Sequence, residues 1–251
     1  MTIQRNSTSE IIEACLLAGK IMLENGAETM RVEDTMMRMA ASFGIPQSHS
    51  FVTPTAIIFS LEGADPTRLI RISERSTDLQ KVAKVNSISR RASDGELTLQ
   101  ETVKRLKQIE AAKGTYPLFI QILAAAATSG CFLIMFQGQW QDFIPALVSG
   151  GMGYLCAVLF QRLVQVKFFA EFLAAFVIGL LSVAFVVIGL GLDLDKIIIG
   201  SVMPLVPGVL ITNAVRDLIA GHLVSGVTKG AEALLTAFAI GSGIAVVISL
   251  Y

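Results

Sequence analysis

PLVPGVLITNAVRDLIAGHLVSG, residues 204–226, sits in an apolar half of the chain yet gathers two prolines, a Thr-Asn pair and an Arg-Asp pair. Pro204 and Pro207 withdraw backbone donors, and Gly208 adds conformational freedom. As part of an apolar span over 195–217, these residues fall near its middle. A helix broken there exposes backbone groups that lipid cannot satisfy, so it is tolerated only against protein or a watery cavity. The spacing predicts a half-helix starting near Gly208. Its amide groups and positive dipole end would suit a carboxylate. Asn213, Arg216 and Asp217 then share a face at i, i+3 and i+4, with Thr212 one turn before Arg216. Arg216 and Asp217 either mark the end of the span, where arginine snorkels, or lie deeper. There each charge costs about 2.5–3.5 kcal/mol and calls for mutual pairing or substrate contact. Glu171 and Glu232 raise the same question at the starts of their own spans.

The surroundings support a membrane setting. The chain is 53% hydrophobic and 16% charged, too apolar for an ordinary soluble domain. Of its 40 charged residues, 29 fall in residues 1–115. We therefore expect an α+β cytoplasmic domain over 1–115 and an α-helical integral membrane domain over 116–251. Five apolar segments, 116–136, 140–161, 168–190, 195–217 and 229–250, each approach the length of about 20 residues that crosses a bilayer. Lys and Arg alternate between the connections. QGQWQD has none, Arg162 and Lys167 flank the next, Lys196 stands alone beside Asp193 and Asp195, and Arg216 and Lys229 flank the last. The positive-inside rule then puts the N-terminus in the cytoplasm and the C-terminus outside. Small residues at 124–130 and 149–153, and Ala237, Gly241 and Ala245, predict close helix packing.

In the first half, Ser7 and Glu10 fit a capping box opening a helix that Asn25-Gly26 ends. A second helix runs from Thr29 to Gly44. FVTPTAIIFSLE and RLIRIS read as two strands joined by GADPT, with Pro54 limiting the first. Helices from about Asp78 to Ala92 and from Thr98 to about Lys113 follow, the latter opened by a Thr98–Glu101 capping box, giving the order ααββαα. Arg68, Arg71, Arg75, Lys81, Lys84, Arg90 and Arg91 form either a solvated basic face or an anion-binding one. Met30, Met36, Met37 and Met39 fit packing better than metal binding, because no His or Cys accompanies them.

Zero net charge gives nucleic-acid binding no support. Cys15, Cys131 and Cys156 read as reduced apolar fillers. MTIQRNSTSE lacks the pattern of a cleavable signal. No GxSxG, HExxH or P-loop pattern occurs, and His49 and His222 lie far apart, so neither an enzyme, a metal nor another cofactor is expected. A membrane-anchored sensor or hydrolase acting through the cytoplasmic domain stays open as the alternative to transport.

Two long motifs, NGAETMRVEDTMMRMA at 25–40 and PLVPGVLITNAVRDLIAGHLVSGVTKGAEA at 204–233, together with PTAI at 54–57, resemble the threonine/serine exporter family of bacterial membrane proteins. The resemblance covers nearly the whole chain, in the same order. It implies a secondary exporter of small carboxylate-bearing metabolites, either threonine/serine or succinate-like dicarboxylates. The five spans resemble the larger subunit of the split form, which works with a second small membrane subunit. A homo-oligomer is the alternative assembly. On this basis the expected pathway residues are Pro207, Gly208, Thr212, Asn213, Arg216, Asp217 and Glu232. The expected cytoplasmic motif is Gly26, Glu28, Thr29, Arg31, Glu33 and Thr35.

Overall fold

The first helix, α1 (Thr2–Glu24), starts earlier than the capping pattern indicated, so Ser7 lies inside it rather than at its N-cap. The computed structural model describes residues 2–61, 67–112, 116–164 and 166–251, with side chains from Thr8 onward. Gly26 (φ +89°) ends α1 in a left-handed conformation. The Ala27 amide reaches back to the Met22 carbonyl, and the Gly26 amide to Leu23. That pair of bonds is a Schellman stop, and its φ favours glycine. Helix α2 (Thr29–Ser42) follows.

Three strands come next, where two were expected: β1 (Ser48–Thr53), β2 (Ala56–Leu61) and β3 (Arg68–Arg71), antiparallel in the order β1-β2-β3. The predicted first strand is itself a hairpin. Pro54 and Thr55 form its turn, with Thr53 paired to Ala56. Proline there sits where no ladder donor is needed. The GADPT connection lies almost entirely outside the described residues. Helices α3 (Leu79–Ser93) and α4 (Leu99–Ala111) complete the order ααβββαα. Asp78 caps α3, and the Thr98–Glu101 capping box opens α4 as the sequence indicated.

The core of this part joins Ile12, Cys15 and Met22 of α1, Val32, Met36 and Met39 of α2, and Ile57 and Phe59 of β2. At Gly19 the helices α1 and α2 come so close that a Cβ would stand 2.4 Å from Met36 Sδ. The methionines divide: Met36 and Met39 are buried, whereas Met30 and Met37 are exposed. Burial pushes the Cys15 thiol up to about 12, so it acts as a small apolar side chain.

The remaining helices are α5 (Leu118–Met135), a 3-10 turn Trp140–Asp142 leading into α6 (Phe143–Val164), α7 (Lys167–Val187), α8 (Leu194–Val202) with a 3-10 turn Met203–Leu205, α9 (Gly208–Ile219) and α10 (Leu223–Leu250). Among the described residues, four helices are long and apolar enough to cross a membrane. A fifth crossing is counted if Leu194–Leu205 and Gly208–Ile219, bent by 64° at the break, form one span. The chain is thus mostly helical, with a small sheet near its start.

By internal contacts the chain forms two compact units. One is Met1–Thr115 with Val209–Gly230, and the other is Tyr116–Gly208 with Ala231–Tyr251. The expected division at 115/116 coincides with one boundary between them, but α9 and the start of α10 cluster with the first unit. In the second unit a small apolar cluster of Leu133, Ala146 and Ile197 is buried, but many other buried positions are small and many large apolar side chains face outward. Ala125, Ser129, Gly150, Gly153, Ala174 and Ser182 are buried, while Phe119, Leu123, Ile144, Leu159, Phe169 and Leu180 are exposed. Small residues let the backbones approach. A Cβ on Gly150 would meet Ser129 Oγ at 1.9 Å, and one on Gly153 would meet Ile178 Cγ1 at 2.3 Å. Asp142, also buried, accepts from the Leu192 amide at 2.6 Å and pins the turn before α8.

Candidate functional site

Within the first unit, the start of α2 meets the corner between α9 and α10. The first amides of a helix lack intrahelical partners. At α2 the N-cap residue, Glu28, offers no side-chain cap. Asp217 of α9 fills that place from 188 residues away. Its Oδ1 accepts from the Thr29 amide at 3.0 Å and its Oδ2 from the Thr29 hydroxyl at 2.8 Å. A carboxylate also suits the positive end of α2. Lys229 of α10 closes the cluster, with Nζ 2.7 Å from Asp217 Oδ2 and 3.3 Å from Thr29 Oγ1. Thr29, Asp217 and Lys229 are 0%, 1% and 4% exposed. This is a buried ion pair supported by hydrogen bonds from Thr29, and such added bonds help offset the cost of burying the charges.

The corner that brings Asp217 and Lys229 together is locally specified. Gly221 (φ +86°) ends α9; its amide bonds Leu218 O, and the His222 amide bonds Asp217 O. This is a second Schellman stop. Gly226 then admits Leu218, since a Cβ at Gly226 would stand 2.6 Å from Leu218 Cγ.

Around the buried pair lies a ring of further contacts. Asn213 Nδ2 donates to the Gly26 carbonyl at 2.9 Å. Arg216 pairs with Glu28, whose carboxylate is also 3.6 Å from Arg31. The Arg216 side chain remains 58% exposed. Glu33 accepts from the Val52 amide at 2.9 Å and faces His222 at 3.9 Å. Ser225 donates to the Val52 carbonyl at 3.2 Å. Burial pushes the Glu33 carboxyl above the usual range and the neighbouring Asp217 adds to that, while the Val52 amide and His222 oppose it. Thr35 is buried, its hydroxyl without a hydrogen bond among the described residues.

The residues singled out in the sequence therefore fall into two groups. Asn213, Arg216 and Asp217 share a face of α9, as their spacing indicated, and that face engages Gly26, Glu28 and Thr29. Thr212 lies on the exposed side of α9. Pro207, Gly208 and Glu232 belong to the second unit. Gly208 opens α9, where the break predicted a new half-helix. A Cβ there would meet nothing within 4 Å, so a larger residue at this break would not crowd its neighbours within the chain. Glu232 pairs with Lys167 at 2.9 Å. Lys229, Ser225 and His222 were missed as site residues. The available signal was Gly221: a helix stop four residues after Asp217 returns the chain, placing a residue eight positions further on back beside it.

The arrangement has the chemistry of a latch, with Arg216 and Arg31 as accessible cations at its rim. Among the described residues, no three His, Cys, Asp or Glu side chains gather as a metal site.

Comparison with known proteins adds the family. Two relatives named "Probable succinate transporter subunit YjjP" match along almost their whole length. That of Klebsiella aerogenes is 24% identical over all of this chain and 98% of its own. That of Escherichia coli K12 is 25% identical over 99% of this chain and 97% of its own. A "Probable threonine/serine exporter" of Mycobacterium tuberculosis is 22% identical over 94% of this chain, which spans 45% of that protein. No solved structure matches. The family profile described as "Putative threonine/serine exporter" matches residues 13–251, and the chain belongs to the threonine/serine exporter family.

Proposed function

We propose that the chain is the membrane subunit of a secondary exporter of small carboxylate-bearing metabolites, threonine and serine or succinate-like dicarboxylates. The observation that carries this is the second unit's outward-facing large apolar side chains over helices packed closely through small residues, in a chain the family profile covers almost end to end. Lipid, not water, is the solvent in which that distribution is stable. Helix α10, 28 residues, is about 42 Å long at 1.5 Å per residue. Hydrocarbon is about 30 Å thick, which leaves roughly eight residues over. Residues 223–230, which cluster with the first unit, would make up that surplus.

In this reading residues 1–115 form a cytoplasmic domain, the N-terminus is inside, the C-terminus is outside, and α8 with α9 is a broken span. The chain is a bacterial cell-membrane protein that catalyses no covalent step. Two relatives are named as subunits, and a second small membrane subunit is the partner we assign, with a second copy of this chain as the alternative. At the site, Arg216 is the more exposed of the two cations that meet Glu28, at 58% against 48% for Arg31. Its present partner, the Glu28 carboxylate, has the chemistry of the substrate's own charged group. A substrate carboxylate competing for the guanidinium would loosen the Glu28 contact and so report occupancy to the start of α2.

The test is efflux of labelled threonine, serine and succinate from cells making this chain alone and with the small subunit. Efflux above background for at least one of them supports the reading. Background efflux of all three, with both proteins inserted, refutes it.

A further inference from the structure

A second charged cluster lies in the second unit, among apolar helices. Lys167 opens α7, with its ammonium 2.9 Å from Glu232 on α10 and 4.0 Å from Glu171, one turn along α7. One cation thus serves two carboxylates. The Glu171 side chain is 12% exposed, and its Oε2 is buried without a hydrogen bond among the described residues. Thr236, one turn beyond Glu232, is 1% exposed, and its hydroxyl likewise has no hydrogen bond of normal geometry among the described residues. That hydroxyl lies beside the Glu171 carboxyl, and the charged groups acting on Glu171 are Lys167 and Glu232.

With both carboxylates ionised, the Lys167 ammonium supplies one positive charge against two negative ones. In a poorly solvated place that is costly, and one proton removes it. Glu232 holds the ammonium at contact distance, a charge-assisted bond that keeps it ionised. Glu171, farther away, is the group left to take the proton. A threonine hydroxyl both donates and accepts. It can accept from Oε2–H when Glu171 is protonated, and donate to Oε2 when it is not. The hydroxyl can therefore reverse its role toward Oε2 as the proton loads and unloads.

We propose that Glu171, set by Lys167, Glu232 and Thr236, binds and releases the proton that couples transport to a pH gradient. The proton moves between the Glu171 carboxyl and water, and no other bond changes. The coupling rests on the exporter reading, but the proton site does not.

Two measurements separate them. In the first, infrared difference spectra of the full chain in lipid vesicles are recorded while pH is stepped, with no substrate present. A protonated-carboxyl stretch that titrates is expected, lost in Glu171→Gln and displaced in Thr236→Val. Its persistence in Glu171→Gln overturns the proton site and leaves the exporter reading intact. In the second, efflux with the small subunit is compared with and without an imposed pH gradient. The ratio should exceed one for the unmodified chain, fall to one in Glu171→Gln, and recover in Glu171→Asp. An unchanged ratio in Glu171→Gln, or a response to a sodium gradient instead, overturns the coupling. If Glu171→Gln gives no flux at all, the infrared result decides.

Discussion

Removing Asp217 should cost more than any other single side chain at the α2–α9–α10 junction. Asp217→Ala deletes the acceptor of three hydrogen bonds, two from Thr29 and one from Lys229. It leaves an ammonium that is 4% exposed with only a hydroxyl 3.3 Å away. Breaking a buried pair from one side costs about 3–5 kcal/mol. Loss of the acceptor at the start of α2 adds about 1 kcal/mol. Domains are stable by only about 5–15 kcal/mol, so the loss is a large share. Lys229→Met, which keeps the stem, should cost less, because a carboxylate still bonded to Thr29 is partly satisfied. The double variant should cost less than the sum of the singles, by about 1–3 kcal/mol. The assay is denaturant unfolding of the full chain in micelles, with hydrogen exchange at residues 29–36 reporting local opening. Coupling below about 0.5 kcal/mol, the limit within which independent sites add, would refute the buried pair. Asp217 would then be a solvated charge at the end of a helix.

Arg216→Ala should abolish efflux without lowering the amount of inserted protein. Its ion pair is largely exposed, and such pairs are worth about 0–1 kcal/mol. Arg216→Lys should restore little, because a lysine cannot bind a carboxylate two-pronged; full efflux in Arg216→Ala removes it from the path. Glu33 carries a carboxyl raised chiefly by burial, so the folded state holds its proton more tightly than the unfolded chain. Its contribution to stability is present below the ordinary carboxylate range, about 4.3 for glutamate, and lost as pH rises through the higher folded value. Thermal stability of Glu33→Gln should lack that fall, and an identical pH profile would contradict the assignment. Gly150→Ala should lower stability by about 1–3 kcal/mol through overpacking, since the added Cβ would stand 1.9 Å from Ser129 Oγ. Gly208→Leu, with nothing within 4 Å, should accumulate normally; equal accumulation of the two refutes the packing argument. Reporter fusions after residues 138, 193 and 251 should all read outside, and a cytoplasmic signal at 251 would remove the odd number of crossings.

How much of this was legible in the sequence depends on the range of the interaction. Gly26, Gly44, Asp78 and the Thr98–Glu101 box set helix ends through bonds within a few residues, and such spacing is visible. The apolar spans are visible too, since length and composition identify them. The Pro54-Thr55 turn was not, because the alternation of FVTPTAIIFSLE runs through it and reads as one strand. Neither was the Asp217–Lys229 pair. It depends on a Schellman stop at Gly221, in a stretch whose small and apolar residues look like a loop between spans. The bond from Asp217 to Thr29 joins residues 188 apart, and no periodicity encodes a partner at that distance.

Helix α9 shows why a polar face alone leaves function undecided. Asn213, Arg216 and Asp217 at i, i+3 and i+4 announce that one side of an apolar helix needs polar company. Water in a transport path meets that need, and so does another protein surface. The sequence pattern is identical for both. Here each of the three finds a partner within residues 26–29, so the cost of burying them is offset inside the first unit. A substrate can use this face only by exchanging one of those bonds. Asp217 is 1% exposed and Asn213 8%, and each is bonded to Thr29 or to the backbone of Gly26. On the exporter reading proposed above, Arg216, bonded to a carboxylate and open to solvent, is the residue at which a substrate carboxylate would replace an existing partner with a chemically equivalent one. Such an exchange leaves the guanidinium satisfied throughout, whereas displacing Asp217 would strand a buried lysine.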